Sequence, residues 1–162
     1  MKNFLLVFFL LIININFSFS ASTSSNENSN QKTNYEKAVS LIKAAKKYEK
    51  KGKVEKAEKR YQKAQKLLIK ANKKNPKNAD TLNYLGFTTR KLGNFEQGEK
   101  YYLQGLDINP NHIGINEYLG ELYVVTNRVD LAKQRLEVLK DCNCEEYSEL
   151  EAVINGSKKS KY

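Results

Sequence analysis

The sequence predicts an all-α fold, an array of about three helix-turn-helix repeats closed by a C-terminal capping helix. Two short motifs recur 34 residues apart: NP at residues 75–76 returns at 109–110, and YLG at 84–86 returns at 118–120. Self-similarity at this period is typical of repeated helix pairs. Apolar residues between the motifs recur at steps of three and four, which place them on one face of an α-helix. The array is therefore organised around one complete unit at residues 79–112.

This unit divides into two helices. The first ends at Gly93, and Asn94 with Gln97 resembles a capping box that begins the second helix, which stops at Pro110. The predicted buried faces are Leu82, Leu85, Thr89 and Leu92 in the first helix, and Phe95, Gly98, Tyr102, Gly105 and Leu106 in the second. A glycine inside a helix costs about 1 kcal/mol relative to alanine. Close helix contacts are therefore expected at Gly86, Gly98 and Gly105.

At this spacing the unit resembles a tetratricopeptide repeat. The resemblance is carried by Leu85, Gly86, Gly93, Phe95, Gly98, Tyr102, Gly105 and Pro110. It implies a right-handed superhelical array of helix pairs and a binding function, with a protein or peptide as the partner. Neither catalysis nor a cofactor is implied.

The N-terminal end is predicted to be an export signal. Lys2 gives a positive start, residues 4–13 are an unbroken apolar run, and residues 18–20 offer small side chains before a cut ahead of Ala21. The run is too short for a membrane span, which needs about 20 residues. A bacterial lipoprotein would require a cysteine at the cut, and no cysteine lies near it. We therefore expect a signal peptide at residues 1–20 and an exported protein, soluble in the periplasm if the source is a Gram-negative bacterium.

The rest of the chain divides into a leader, the array and a tail. Residues 21–33 are rich in Ser and Asn and are predicted to be disordered. Thr33 and Glu36 form a capping-box pattern at the start of the fold. The predicted array covers residues 34–155, with repeats at about 35–78, 79–112 and 113–144, a capping helix at 145–155, and a flexible basic tail at 156–162.

Charge is concentrated in the first repeat. Residues 32–77 contain seventeen Lys and Arg against four Glu, whereas residues 78–162 contain ten basic and thirteen acidic residues. A basic helix surface can meet nucleic acid, anionic lipid, acidic polysaccharide or an acidic protein. Export argues against nucleic acid, as does the lack of aromatic residues among the lysines on the exposed faces. Two interpretations remain open: residues 43–77 dock on an anionic envelope surface, or they form a lysine face that is merely solvated.

The cysteine pair is the feature best suited to chemistry. In an exported protein Cys142 and Cys144 favour a disulfide, although one intervening residue makes the ring tight. A bridge to another chain and a soft-metal or redox site are the alternatives. The segment CNCEEY resembles the cysteine-containing loop before a Glu-Glu-Tyr capping helix in small exported bacterial repeat proteins. His112 is the only histidine and is predicted to be an exposed polar turn residue, so we expect neither a closed zinc site nor an enzyme.

In tetratricopeptide arrays the first helices of successive repeats line a concave groove. The resemblance implies a groove that grades from basic to acidic around an aromatic centre, which suits an extended peptide of mixed charge. The predicted groove residues are Lys43, Lys46 and Lys50 in repeat one, Asn83, Tyr84, Phe87 and Arg90 in repeat two, and Glu117, Tyr118, Glu121 and Val124 in repeat three. An alternative role for Tyr84 and Phe87 is packing between helices. The predicted function is an exported scaffold or assembly factor; the alternatives are a metal or redox accessory protein and a basic adaptor.

One subclass of the family grips a terminal carboxylate with Lys, Asn and Arg side chains from three successive first helices. The corresponding positions here are Ile42, Lys46, Tyr84, Gly114 and Tyr118. Only one of these residues is basic. We therefore do not expect a carboxyl-terminal tail to bind in that way.

Overall fold

The computed structural model describes residues 32–160, which form seven α-helices and no β-strand. The predicted signal peptide and nearly all of the predicted leader lie outside the described residues. In chain order the helices are α1 (Asn34–Glu49), α2 (Val54–Lys74), α3 (Ala79–Lys91), α4 (Phe95–Ile108), α5 (Ile113–Val125), α6 (Val129–Leu139) and α7 (Glu145–Ile154). The prediction of an all-α fold is confirmed.

Consecutive helices pack as three pairs, and the seventh closes the array. The helix α1 packs against α2, α3 against α4, and α5 against α6, while α7 contacts both α5 and α6. The helix α2 has 21 residues against 14 in α4, so the first repeat is longer by about two helical turns. Within residues 32–160, no helix has the length and apolarity needed to cross a bilayer.

Polar side chains begin several of the helices. Thr33 and Glu36 form the predicted capping box: the Thr33 hydroxyl accepts from the Glu36 backbone N–H at 3.2 Å, and the Glu36 carboxylate accepts from the Thr33 N–H at 2.7 Å. Asn94 caps α4 by accepting from the Gln97 N–H at 3.0 Å. Each cap satisfies a backbone donor that has no partner inside its helix.

The helical glycines lie where two helices approach closely, as predicted. A Cβ built on Gly98 would lie 2.9 Å from the Arg90 side chain and 3.1 Å from the Gly86 carbonyl oxygen, so α3 and α4 meet backbone to backbone. A Cβ on Gly105 would meet the Ile115 side chain, and one on Gly120 would lie 2.5 Å from Leu150 of α7. Because glycine has no side chain, these positions allow the neighbouring helices to approach closely.

The buried residues form two clusters that together run the length of the array. The first joins α1, α2 and α3 around Ala38, Ile42, Ala45, Ala57, Tyr61, Ala64, Leu68, Leu82, Leu85 and Phe87. The second joins α4, α5 and α6 around Tyr102, Leu106, Ile115, Leu119, Leu122, Tyr123 and Ala132. Tyr118 of α5 packs against both clusters. The hydrophobic interior is thus continuous between repeats, as a stacked array requires.

The described part of the tail packs back on the array. The Lys158 ammonium donates to Glu149 of α7 at 2.9 Å, and the Ser160 hydroxyl donates to Glu121 of α5 at 3.1 Å. Both contacts lie next to the capping helix. The flexibility of residues 156–162 stays a prediction.

Candidate functional site

The first helices of the three repeats meet at a cluster of one lysine and two aromatic rings. Lys46 of α1 places its ammonium nitrogen 4.5 Å from the ring centre of Phe87 on α3 and 5.7 Å from that of Tyr118 on α5. The same nitrogen lies 3.4 Å from the Tyr118 hydroxyl oxygen. The two ring centres are 5.2 Å apart. The Phe87 ring attracts the ammonium through its quadrupole, and the Tyr118 hydroxyl oxygen accepts from it, so three predicted groove residues share one contact. We call Lys46, Phe87 and Tyr118 the central cluster.

Within this cluster Phe87 is a packing residue. Only 1% of its surface is exposed, and its ring centre lies 5.8 Å from that of Tyr61 on α2 in an edge-to-face arrangement. The alternative role that the sequence left open for Phe87, packing between helices, is therefore the one observed. Lys46 and Tyr118 remain half-buried around it.

A hydrogen-bonded network supports the cluster from behind. The Tyr61 hydroxyl donates to Glu49 at 2.8 Å, and Glu49 pairs with Lys91 at 2.6 Å. Burial, and then the hydrogen bond to Glu49, raise the pKa of Tyr61 far above its usual range. This network ties α1, α2 and α3 together beneath the cluster, and it was not predicted because its members are up to 42 residues apart in sequence.

Tyr84 lies one helical turn before Phe87 and is half-buried. Its ring centre is 5.9 Å from that of Tyr35 on α1, in a T-shaped arrangement. Burial, with a smaller contribution from the Asp80 carboxylate, raises the pKa of the Tyr84 hydroxyl. The two rings join the first helices of repeats one and two at a second point, so Tyr84 combines inter-helix packing with partial exposure.

The polar residues predicted to line the groove on α3 and α5 are mostly buried. Asn83, Arg90, Glu117 and Glu121 each expose 7% or less of their surface. The Arg90 guanidinium donates to the backbone carbonyl of Tyr118, which joins α3 to α5. Val124 is half-buried. The Arg90, Glu117 and Glu121 side chains are thus buried within the array.

The remaining two predicted groove residues, Lys43 and Lys50 of α1, are exposed. Of the three lysines predicted in repeat one, only Lys46 reaches the aromatic rings. The structure therefore brings together the central part of the predicted set and leaves its basic end in solvent.

His112 caps a helix, which the sequence interpretation missed. Its Nδ1 accepts from the Ile115 backbone N–H at 3.2 Å, and its Nε2 lies 3.1 Å from the Asp80 carboxylate. Since Nδ1 accepts, the neutral ring carries its hydrogen on Nε2 and donates it to Asp80. The side chain is 13% exposed, so the expectation of an exposed turn residue was wrong. The available signal was the repeat itself, because Asn78 caps α3 in the same way 34 residues earlier.

The cysteines lie in the turn between α6 and α7. A disulfide joins Cys142 to Cys144, and Asn143 between them has a positive φ of 49°. Cys144 is also the N-cap residue of α7, whose Leu150 packs on Gly120 of α5. In the described part of the chain, no three His, Cys, Asp or Glu residues are grouped to hold a metal ion.

Comparisons with known proteins agree on the repeat. Residues 79–112 match the family model described as Tetratricopeptide repeat. Comparison with curated proteins gave no match. Among solved structures, the first TPR of Spaghetti (RPAP3) bound to HSP90 peptide SRMEEVD has a TM-score of 0.50 and 20% identity, covering 77% of this chain and 95% of that chain.

Two further structures have similar statistics. The Arabidopsis OM64 TPR domain has a TM-score of 0.49 and 17% identity, covering 77% of this chain and 99% of its own. The first TPR domain of human RPAP3 has a TM-score of 0.48 and 22% identity, with coverages of 78% and 98%. Residues 79–112 are thus similar to a tetratricopeptide repeat, and the described residues have the superhelical fold of the first of these tetratricopeptide-repeat domains.

Proposed function

We propose that this chain is a non-catalytic protein–protein interaction module that binds an extended peptide segment along α1, α3 and α5. The observation that carries the proposal is the central cluster, where side chains from all three first helices converge. A peptide that crosses this point can contact half-buried Lys46 and Tyr118 on the first and third repeats, and half-buried Tyr84 on the second, one turn from buried Phe87. Its affinity is then the sum of contacts that no single repeat offers.

The accessible charge of this face is basic. Lys43 and Lys50 of α1 are exposed and Lys46 is half-buried, whereas Arg90, Glu117 and Glu121 each expose 3% or less of their surface. An acidic residue of the peptide is therefore expected to lie towards α1, and the peptide of mixed charge that the sequence predicted is not favoured by the buried carboxylates of α5. Half-buried Tyr84 and Tyr118 flank the centre, and tyrosine is frequent at interface hot spots because one rigid side chain offers both apolar area and a hydroxyl.

The RPAP3 domain of similar fold is bound to an HSP90 peptide, which supports peptide binding as the class of function. The positions that correspond to a carboxylate clamp do not favour a terminal carboxylate here. Ile42 is buried in the first core cluster, and Gly114 has no side chain. We therefore propose an internal segment of the partner as the ligand.

The finer role we propose is that of an exported scaffold or assembly factor. It rests on the predicted signal peptide at residues 1–20, with its apolar run at residues 4–13. The partner is then a protein of the cell envelope.

The binding face is tested with the full chain and a random peptide library. Peptides enriched on the wild type are measured against Tyr84→Ala and against Tyr101→Ala. Both tyrosines are half-buried and belong to repeat two, but Tyr101 lies on the second helix, α4. Tyr84→Ala is expected to weaken binding about tenfold or more, as truncation of a hot-spot tyrosine does, whereas Tyr101→Ala should change it little.

Circular dichroism establishes that both variants are folded. Equal affinities of the enriched peptides for wild type and Tyr84→Ala would contradict the proposed face. Failure of the library to enrich any peptide on the wild type would contradict peptide binding itself.

A further inference from the structure

The solvent-facing side of α2 is a continuous strip of lysines. Lysine recurs there at steps of three and four, the spacing of a single helical face. The α2 lysine strip consists of Lys56, Lys59, Lys63, Lys66, Lys70 and Lys73, all of them exposed. The opposite face carries the buried residues Ala57, Tyr61, Ala64 and Leu68. At about 1.5 Å per residue the strip is roughly 25 Å long.

Within residues 32–160, none of these six ammonium groups belongs to an ion pair. The acidic residues of α2 are Glu55 and Glu58, at its N-terminal end. Like charges three and four residues apart repel and destabilise a helix. The second helices of the other repeats avoid this cost by interleaving signs, as in the pairs Glu96–Lys100 on α4 and Glu137–Lys140 just beyond α6. Solubility alone does not account for a strip of one sign.

We propose that the α2 lysine strip docks this protein on a membrane surface rich in anionic phospholipid. A straight exposed ridge cannot enclose a small anion, but it can lie along an extended negative surface. Lysine suits this role because its ammonium group is a compact point charge that adapts to mobile headgroups, whereas arginine is suited to fixed bidentate contacts. Juxtamembrane lysines are attracted to anionic lipid without any specific geometry.

The flank of the strip favours lipid over a soluble anionic polymer. Ile69 lies between Lys66 and Lys70 in sequence and is 49% exposed. An isoleucine beside a basic strip can enter the boundary between headgroups and acyl chains. A soluble polyanion has no such apolar region for the side chain to enter. The tyrosine of α2, Tyr61, is buried, so the strip offers no aromatic ring on which a base could stack.

Docking through the strip leaves the proposed peptide face free. Tyr61 lies on the side of α2 opposite the strip, and it is this residue that contacts Phe87 of the central cluster. The strip therefore faces away from the cluster. A protein held by α2 can present its first helices to a partner near the same membrane.

The test is sedimentation of the full chain with vesicles of phosphatidylcholine alone and of phosphatidylcholine mixed with phosphatidylglycerol. The ratio of the two affinities isolates the charge effect, because the apolar run at residues 4–13 contributes to both. The strip variant is Lys59→Gln/Lys63→Gln/Lys66→Gln. The control variant, Lys100→Gln/Lys133→Gln/Lys140→Gln, removes the same charge from exposed lysines on and just after other helices.

We expect the strip variant to lower the anionic-to-neutral ratio by roughly tenfold or more, and the control variant to leave it within about twofold of wild type. Raising the salt concentration should bring the ratio of the two affinities towards one, because screening shortens the reach of the charges. A ratio near one for wild type, or equal losses in the two variants, would overturn the proposal.

Ile69→Ser and heparin distinguish lipid from polymer. Loss of vesicle affinity in Ile69→Ser, with heparin binding unchanged, supports docking on lipid. If heparin binds the wild type as strongly as anionic vesicles do, and Ile69→Ser affects neither, the ligand is a soluble polyanion and the lipid proposal is wrong.

Discussion

Replacing Gly86 by alanine should destabilise the array although it improves the helix. Gly86 of α3 faces Tyr102 of α4, which is completely buried. A Cβ at this position would lie 2.7 Å from the Tyr102 Cζ atom, and two further ring carbons are closer still. The ring is enclosed in the core and cannot rotate away. The new methyl group must therefore push α3 and α4 apart at the point where they also meet through Gly98.

Two opposing effects decide the magnitude. Overpacking a core costs about 1–3 kcal/mol, and replacing a helical glycine by alanine returns about 1 kcal/mol. We expect a net loss of about 1–2 kcal/mol in the free energy of unfolding. The matched control is Gly114→Ala, because the one close contact of that methyl group would be the tip of the Asn83 side chain, at 2.9 Å, and its other neighbours lie at 3.7 Å. The gain in helix propensity from alanine should dominate in this variant, so its free energy of unfolding should be unchanged or higher.

Urea unfolding followed by far-ultraviolet circular dichroism measures both variants. A double-mutant cycle with Tyr102→Ala should show that the two changes together cost less than their sum, because truncating the ring makes room for the methyl group. If Gly86→Ala is as stable as Gly114→Ala, or if the cycle is additive, the close contact between α3 and α4 is not what constrains this glycine.

Three further predictions concern the helix cap, alkaline pH and the disulfide. His112→Ala should cost about 1 kcal/mol of unfolding free energy through the lost cap, while His112→Asn, which copies Asn78, should cost little; urea titration decides, and equal losses would count against the cap. Burial raises the pKa of Tyr35 to about 12, so its contribution to stability is full below its unfolded value of about 10 and is lost as pH rises towards 12; Tyr35→Phe should flatten that fall, and an unchanged pH profile would refute it. Reducing Cys142–Cys144, which closes a very short loop, should cost only about 1–2 kcal/mol and speed amide exchange in α7 but not in α3; uniform faster exchange would contradict a local role.

Sequence periodicity was sufficient to predict the helices and most of their buried faces, although Phe95, predicted on the buried face of α4, is 41% exposed. Helices that pack in a regular repeat need apolar residues at steps of three and four and glycines where they approach closely. The pairing of α3 with α4 could therefore be predicted from Gly86 and Gly98 alone. Local caps such as Thr33 with Glu36 were equally readable, because both partners lie within one helical turn. These features depend on residues close in sequence.

The groove was less predictable because its side chains meet across repeats. Lys46 and Tyr118 are 72 residues apart, and their contact depends on how three helix pairs stack. The burial of Phe87 follows from its contact with Tyr61, a residue of a different repeat. The contact of His112 with Asp80 was unpredictable for the same reason, since the two residues are 32 positions apart, whereas its role as a cap could have been inferred from Asn78 in the preceding repeat. Periodicity gives the face on which a residue lies but not what covers it.

The central claim, peptide binding along α1, α3 and α5, is tested most directly by photo-cross-linking. The tightest peptide from the library is prepared with a photoreactive residue at successive positions and cross-linked to the full chain, and the attachment sites are mapped by mass spectrometry. We expect cross-links on the first helices, centred on Tyr84 and Tyr118 and lost in Tyr84→Ala. Cross-links confined to α2, α4 and α6 would contradict the claim.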